Sequence, residues 1–190
     1  MKTANHSNRG MGLENDINLT NSYYLEKDIA VIYKKPTPIK VTKVSYDCIG
    51  NKRVKDAFYE KPSTTDYNGL YKGKYIDFEA KEIKNSNIFP IINIHKHQIE
   101  HLSRINKHGG IAFIIVRFCN NNTTYLLEIN KLISFIDNNK RKSIPIEYFE
   151  DCGYIIKESY IPRLNYIKII DNIISKENLW KNLKGNSKSL

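Results

Sequence analysis

The sequence predicts an α/β domain in which a mixed central β-sheet is flanked by helices. Three observations predict it: residues 75–81 alternate apolar and polar side chains, residues 111–116 are an unbroken apolar run, and residues 164–174 place apolar side chains at helical spacing. Alternation is typical of a strand with one buried face, the apolar run of a strand buried on both faces, and the third pattern of an amphipathic helix. A chain of 190 residues fits one such domain.

The first part of the chain predicts a helix, a strand and then a projection. Residues 11–26 show loose helical spacing, and residues 29–33 form a short run of strand formers. Pro36 and Pro38 then force the chain into an extended exit. Extended pieces on either side of a turn at residues 47–51 follow, so we expect residues 37–61 to form an excursion from the domain.

Later elements alternate between helix and strand. Pro162 suits the start of a final helix, and we expect residues 1–175 to form a single domain and residues 176–190 a basic, mobile tail. The other expected elements are a helix at 93–107, a strand at 111–118 after the Gly109-Gly110 stop, a strand at 123–129 and a helix at 131–137.

Charge indicates a polyanionic partner. The chain has 30 Lys and Arg residues against 20 Asp and Glu residues, a formal net charge of +10. Residues 34–61 contain eight basic and three acidic residues, so half of that excess lies on a segment that includes the expected excursion. Lys and Arg placed near phosphates release condensed counterions, which favours nucleic acid as the partner.

Several classes of protein are disfavoured. The longest apolar run has six residues, far below the ~20 that cross a bilayer. The first twenty residues lack the apolar stretch of a signal peptide, so we expect a cytoplasmic protein. Three widely separated cysteines without a CxxC pair disfavour both structural zinc and a disulfide framework.

Two carboxylates become neighbours if residues 64–81 form a hairpin. A two-residue turn at Lys72-Gly73 places Asp66 opposite Glu79, on the same face of the sheet. Asn68-Gly69 is a competing turn with better turn chemistry, and choosing it would place Asp66 opposite Tyr71 and remove this pairing. We prefer the turn at Lys72-Gly73, chiefly for the chemistry that it creates.

Like charges directly across a sheet repel each other, so the pair of acids needs a cation. Hard oxygen ligands suit Mg²⁺ better than zinc. In this register Thr64 faces Lys81, and the Lys81 ammonium is placed to hold a water or to stabilise the charge that grows on a scissile phosphate. The alternative is an edge strand whose charged side chains are simply solvated.

A glutamine favours the site over that alternative. Gln98 lies in the middle of the apolar stripe of the expected helix, among Ile94, Leu102 and Ile105. A buried amide without a partner costs ~1 to 3 kcal/mol, so Gln98 is expected to point at the acidic face or to bond backbone. The nearby histidines lack the third ligand of a zinc site, and we expect them to flank a nucleic-acid path: His95, His97, His101 and His108.

Five ordered motifs resemble the RecU family of Holliday junction resolvases, over about residues 8–174. RecU proteins belong to the PD-(D/E)xK nuclease superfamily, so the resemblance implies a restriction-endonuclease-like core. Thr65 stands where the superfamily pattern has proline. The motifs are Asn8-Arg9-Gly10-Met11, Lys34-Lys35-Pro36-Thr37-Pro38, Ser63-Thr64-Thr65-Asp66-Tyr67-Asn68-Gly69, Ile76-Asp77-Phe78-Glu79-Ala80-Lys81 and His97-Gln98-Ile99-Glu100-His101.

The resemblance also implies roles for residues. Asp66 and Glu79 would bind Mg²⁺, or Mn²⁺ in its place, together with Gln98 and Thr64, and Lys81 would stabilise the transition state. The basic excursion would be the family's stalk, which enters the branch point of a four-way junction. The residues expected to contact DNA are Arg9, Lys40, Lys43, Lys52, Arg53 and Lys55.

The sequence therefore predicts a Mg²⁺-dependent endonuclease that resolves Holliday junctions by symmetric paired nicks in DNA recombination and repair. The resemblance implies a homodimer, 5′-phosphate ends, and recombination partners such as RecA and RuvB. A homodimer fits a junction because a two-fold enzyme presents two identical sites to two equivalent strands. The alternatives are a PD-(D/E)xK nuclease of other specificity, acting in restriction or repair, and a basic DNA-binding protein without catalysis.

Overall fold

A computed structural model describes residues 12–59 and 64–186. Six strands form one sheet in the order β1-β4-β5-β7-β8-β10, and two further pairs, β2-β3 and β6-β9, lie outside it. The strands are β1 (Val31–Lys34), β2 (Ile39–Tyr46), β3 (Lys52–Tyr59), β4 (Tyr67–Tyr71), β5 (Lys74–Ile83), β6 (Ile88–Pro90), β7 (Ile111–Phe118), β8 (Thr123–Glu128), β9 (Ser143–Pro145) and β10 (Tyr154–Ile156).

The sheet is mixed, as the sequence predicts. β5 and β7 run parallel and are joined by a crossover that contains a helix, whereas every other neighbouring pair in the six-stranded sheet is antiparallel. The expected fully buried strand is confirmed, because all eight side chains of β7 are buried. The helices are α1 (Leu13–Glu26), α2 (Lys96–Lys107), α3 (Ile129–Asn138), α4 (Ile146–Cys152) and α5 (Ile167–Asn186).

Helices cover both faces of the sheet and create two apolar cores. On one face, Phe78 and Phe113 stack with ring centroids 4.8 Å apart and pack with residues of α1 and α5. On the other, Ile114 and its neighbours pack with residues of α2, α3 and α4. Successive side chains of a strand point to opposite faces, so the odd-numbered positions 77–81 of β5 face the α2 side.

The expectation of a half-exposed strand at residues 75–81 is wrong. Asp77 is 0% exposed and Glu79 is 1% exposed, although their sequence pattern is that of a strand with one solvated face. β5 is central in the sheet, and α2 covers the face that carries these acids. Two carboxylates are therefore buried, and each requires compensating partners.

The expected excursion is a two-stranded hairpin outside the main sheet, which we call the stalk hairpin (residues 39–59). β2 and β3 pair with each other only, and residues 47–51 form the predicted turn. From residue 39 to residue 58 every side chain is exposed except Ser45 and Asp47, which are half-buried. The hairpin therefore presents both of its faces to its surroundings.

The C-terminal region differs from expectation. α5 begins at Ile167, five residues after Pro162, because residues 158–164 form an irregular loop closed by a bridge between Glu158 and Leu164. The helix then continues to Asn186, through most of the segment expected to be a mobile tail. No helix within the described ranges has the length and apolarity needed to cross a membrane. The three cysteines are free thiols, as predicted.

Candidate active site

The hairpin register predicted from residues 72 and 73 is confirmed. Tyr71 pairs with Lys74 and Tyr67 pairs with Phe78, so the turn lies at Lys72-Gly73. Both turn residues have positive φ, 47° and 74°, as a two-residue type I′ turn requires. The competing turn at residues 68–69 is excluded because both residues lie within β4.

This register brings Asp66 and Glu79 together. The backbone N–H of Asp66 donates to Glu79 Oε2 at 3.1 Å, and Asp66 Oδ2 accepts from the backbone N–H of Ala80, also at 3.1 Å. Each carboxylate is thus held by the backbone of the opposite strand. The two acids face each other at the end of β4, with Glu79 buried and Asp66 half-buried.

Burial and charge both act on Glu79. Loss of water around the carboxyl, followed by repulsion from Asp66, raises its pKa above the ordinary value of 4.5. Hydrogen bonds from Lys81 and Gln98 act in the opposite direction but leave the net shift upward. In the absence of a metal ion, the pair of acids is therefore short of positive charge.

Lys81 lies beside the acids, as predicted. Its Nζ donates to Glu79 Oε1 at 2.5 Å, and its side chain keeps 28% of its exposure. The ammonium therefore touches the site on one side and solvent on the other. A cation in this position is available to a negatively charged substrate that approaches from solvent.

Thr64 and Gln98 complete the predicted cluster. Gln98 is 4% exposed, and its Nε2 donates to the backbone carbonyl of Thr64 at 3.4 Å. Its Oε1 accepts the backbone N–H of His95 at 2.9 Å, which closes a capping box at the start of α2. Both of these hydrogen bonds join the amide to backbone groups, one of the two outcomes expected for Gln98, and the bond to Thr64 ties it to the segment that carries Asp66.

A second buried carboxylate lies next to the site, and the sequence reasoning gave it no role. Asp77 accepts hydrogen bonds from Lys35 Nζ at 2.9 Å and Tyr75 OH at 3.2 Å, and also from Thr65 Oγ1. His101 Nε2 lies 3.0 Å from the same carboxylate. The sequence did contain a signal for it, because Asp77 and Glu79 are two residues apart on one strand and therefore lie on the same face of the sheet.

The residues expected to contact DNA fall into two groups. Arg9 lies outside the described residues. The other five are exposed on the stalk hairpin, where Lys43 pairs with Asp56 at 3.3 Å and Arg53 with Asp47 at 3.5 Å. These five residues are Lys40, Lys43, Lys52, Arg53 and Lys55.

A cleft of about 230 Å³ extends from the base of the stalk hairpin to Asp66. Its lining includes Lys34, Lys35 and Asp66, so two basic side chains and one of the two acids line the same cleft. One opening therefore offers both phosphate-binding cations and a carboxylate. In the described ranges, no three His, Cys, Asp or Glu side chains group as metal ligands.

Oxygen donors dominate the cluster, and this decides which ions fit. The carboxylates of Asp66 and Glu79 and the carbonyl of Thr64 are hard ligands, and the two carboxylates repel each other across the hairpin. Mg²⁺ and Mn²⁺ prefer such ligands, whereas zinc prefers sulfur and imidazole. The residues present therefore fit a hard divalent cation.

Comparison with known proteins gives a consistent result. The family model described as Recombination protein U matches residues 8–172. Holliday junction resolvase RecU of Geobacillus sp. (strain WCH70) is 49% identical over 172 residues, which cover 89% of this chain and 86% of the relative. The protein of the same name from Bacillus cereus (strain G9842) is 48% identical over 176 residues, covering 91% of this chain and 88% of the relative.

A solved structure is also similar: Archaeoglobus fulgidus Hjc, a Holliday junction resolvase from an archaeal hyperthermophile. Its TM-score is 0.43 at 10% sequence identity, over 73% of this chain and 94% of that chain. The sequence matches are far stronger, because they combine nearly half identity with coverage of most of both chains. On the match to residues 8–172, this chain belongs to the RecU family.

Proposed function

We propose that this chain is a Holliday junction resolvase, an endonuclease that hydrolyses phosphodiester bonds where four DNA duplex arms meet. One observation carries the proposal: Asp66 contacts Glu79 and Glu79 contacts Lys81, in a chain nearly half identical to proteins named Holliday junction resolvase. Two acids and an amine are the groups that phosphodiester hydrolysis needs, namely metal ligands and a cation for developing charge.

We assign a Mg²⁺ ion to the acidic pair, with Mn²⁺ able to replace it. Asp66 and Glu79 would hold it through their carboxylates, and Thr64 through an oxygen. When bound, the ion polarises the phosphate and lowers the pKa of a bound water. Gln98 would join the ligands through Oε1 once that oxygen releases the backbone N–H of His95, which it now accepts.

Lys81 has a separate role in the proposed reaction. Its Nζ donates to Glu79 at 2.5 Å, and its side chain remains partly exposed. The ammonium therefore lies between the acids and a DNA strand that approaches from solvent. There it stabilises the extra negative charge that a phosphate gains as a water attacks it. The hydrogen bond to Glu79 keeps the ammonium in place before the substrate arrives.

The stalk hairpin supplies the proposed selectivity for a junction. Its basic side chains are exposed on a projection that does not pack on the domain, as insertion into a branch point requires. Two copies related by a two-fold axis would cut symmetry-related strands, leaving 5′-phosphate ends. Action in recombination and repair and contacts with RecA and RuvB remain predictions from family membership, and a cytoplasmic location remains a prediction from the sequence.

The test compares a mobile four-way junction with a linear duplex of matched sequence, each over a Mg²⁺ titration. Asp66→Ala and Glu79→Ala should abolish cutting while leaving junction binding without metal largely intact, since each removes a negative charge near phosphate. Glu100→Gln is the matched control, because Glu100 is an acid on α2 whose side chain is 48% exposed and pairs with Lys96.

Each alternative predicts a different result. Equal cutting of junction and duplex would indicate a nuclease of other specificity. Absence of Mg²⁺-stimulated cutting on junction, flap and duplex substrates would indicate a binding protein without catalysis. Cutting by the Asp66 and Glu79 variants at the wild-type rate would refute the assignment of the site.

A further inference from the structure

Both ends of the stalk hairpin return to one buried carboxylate. Lys35 directly follows β1 and lies four residues before the hairpin, and Thr65 lies six residues after the hairpin, shortly before β4. Lys35 Nζ donates to Asp77 Oδ2 at 2.9 Å and to Thr65 Oγ1 at 2.8 Å, and Thr65 Oγ1 donates to Asp77 Oδ1. Asp77 lies on β5, at the centre of the sheet.

The same contacts reach the proposed metal ligands. The backbone N–H of Lys35 donates to the carbonyl of Asp66 at 2.8 Å, and Lys35 Nζ lies 3.3 Å from Thr64 Oγ1. His101, which binds Asp77, is on α2 three residues after Gln98. The segments that carry three of the four proposed ligands are therefore joined through Asp77 and Lys35.

We propose that Asp77 is a positioning residue that clamps the base of the stalk hairpin to the metal-binding segment 64–66. This inference rests on the proposed function, since it concerns the same site. Asp77 is not one of the proposed metal ligands. It holds Lys35 and Thr65 in place, and these two residues in turn hold Thr64 and Asp66.

Burial of the Asp77 carboxylate makes its contacts with Lys35 and Thr65 costly to break. Asp77 is 0% exposed, and the Lys35 side chain keeps 18% of its exposure. Breaking a buried ion pair by removing one partner is strongly unfavourable, because it leaves the other charge uncompensated. Movement of segment 64–66 away from Glu79 would break these contacts, so the segment is held in one arrangement before metal or DNA arrives.

The test measures metal binding without DNA. Asp77→Asn keeps the shape of the side chain and removes its charge, so Lys35 loses the carboxylate with which it forms an ion pair. Partners that orient metal ligands typically change metal affinity 10–100-fold when mutated. We therefore expect the Mg²⁺ concentration at the midpoint of the thermal-shift titration to rise about 10–100-fold, while junction affinity without metal stays unchanged. Cutting should recover when Mg²⁺ is raised in proportion.

A matched control separates positioning from general stability. Asp16 is another buried acid, 1% exposed and bound to Arg117 at 2.7 Å and Arg163 at 3.0 Å, on the opposite face of the sheet. Asp16→Asn should lower the melting temperature yet leave the Mg²⁺ midpoint of the remaining folded protein at the wild-type value. An equal shift in both variants would show that Asp77 is merely structural.

Two further variants keep the inference testable if Asp77→Asn fails to fold. Thr65→Val removes the hydroxyl shared with Lys35 and Asp77, and should raise the Mg²⁺ midpoint in the same direction. In a double-mutant cycle, Lys35→Met combined with Asp77→Asn should bind Mg²⁺ no more weakly than Asp77→Asn alone, because paired charges are non-additive.

The outcomes distinguish this inference from the proposed function. A wild-type protein that neither gains stability with Mg²⁺ nor cuts any junction overturns the proposed function and the clamp with it. The clamp alone is overturned if the wild-type protein gains stability with Mg²⁺ and cuts junctions, while the folded Asp77 and Thr65 variants have unchanged Mg²⁺ midpoints.

Discussion

Gly69→Ala should damage both stability and cutting, although alanine is a mild substitution in most strands. A Cβ on Gly69 would lie 2.1 Å from the carbonyl oxygen of Val31 and 2.6 Å from the Cα of Ile32. Both are backbone atoms of β1, and Ile32 pairs with Gly69 and is 2% exposed. The side chain therefore fits only if β1 moves by about 1 Å relative to β4.

The magnitude follows from two opposing effects. Forcing an extra carbon into a packed position costs about 1–3 kcal/mol, and the upper end applies because backbone cannot rotate away. Removing glycine from the unfolded chain offsets about 0.4–1 kcal/mol. The net loss is about 2 kcal/mol, or about 4–8 °C in Tm for a chain of this size.

Cutting should fall further than stability. The backbone of Lys35 donates to that of Asp66, so a displaced β1 disturbs the segment that holds the acid. A misplacement of about 1 Å typically costs about 10²-fold in rate. Circular-dichroism melting and single-turnover junction cleavage below the melting range measure the two effects.

Gly12→Ala provides the control for this prediction. The nearest atom to its added Cβ is Glu82 Oε2 at 3.7 Å, an ordinary contact, and its φ of −60° suits alanine. We expect its Tm to lie within about 2 °C of wild type. Wild-type melting and cutting by Gly69→Ala would refute the claim that close approach of β1 dictates glycine at this position.

The other predictions concern the acids and the stalk hairpin. Glu79→Gln should raise Tm in the absence of metal at about pH 8 but not at about pH 4. The pKa of Glu79 is raised in the folded protein, so its ionisation destabilises the fold as pH rises through that pKa, and below the unfolded value of 4.5 the effect disappears. Melting curves over this pH range test the sign; a Tm difference independent of pH would contradict it. Replacing Lys40 and Lys52 with alanine should lower the slope of log affinity against log salt by about 1.8. Gel-shift titrations at several salt concentrations measure it, with Lys131→Ala, an exposed change on α3, as the control; an unchanged slope would remove these two lysines from the DNA interface.

The sequence alone predicted two features around the candidate site. A two-residue turn fixes the register of a hairpin, so the turn at residues 72–73, preferred for the chemistry that it creates, placed Asp66 opposite Glu79. The apolar stripe around Gln98 showed that a buried amide needs a polar partner. Both inferences depend on local geometry, in which the period of a strand or a helix determines which side chains share a face.

Tertiary structure decided what covers each face. Alternation at residues 75–81 is the same for an edge strand and for a central strand whose polar side chains find partners, so the pattern could not reveal that Asp77 is buried. Its partners Lys35 and His101 lie 42 and 24 residues away in the chain. The role of Gly69 likewise depends on β1: the backbone of β1 lies so close to Gly69 that a side chain does not fit, whereas the sequence also allowed Gly69 to be a turn residue. Local periodicity sets the direction of a side chain, whereas burial and pairing depend on segments distant in the chain, which only packing brings together.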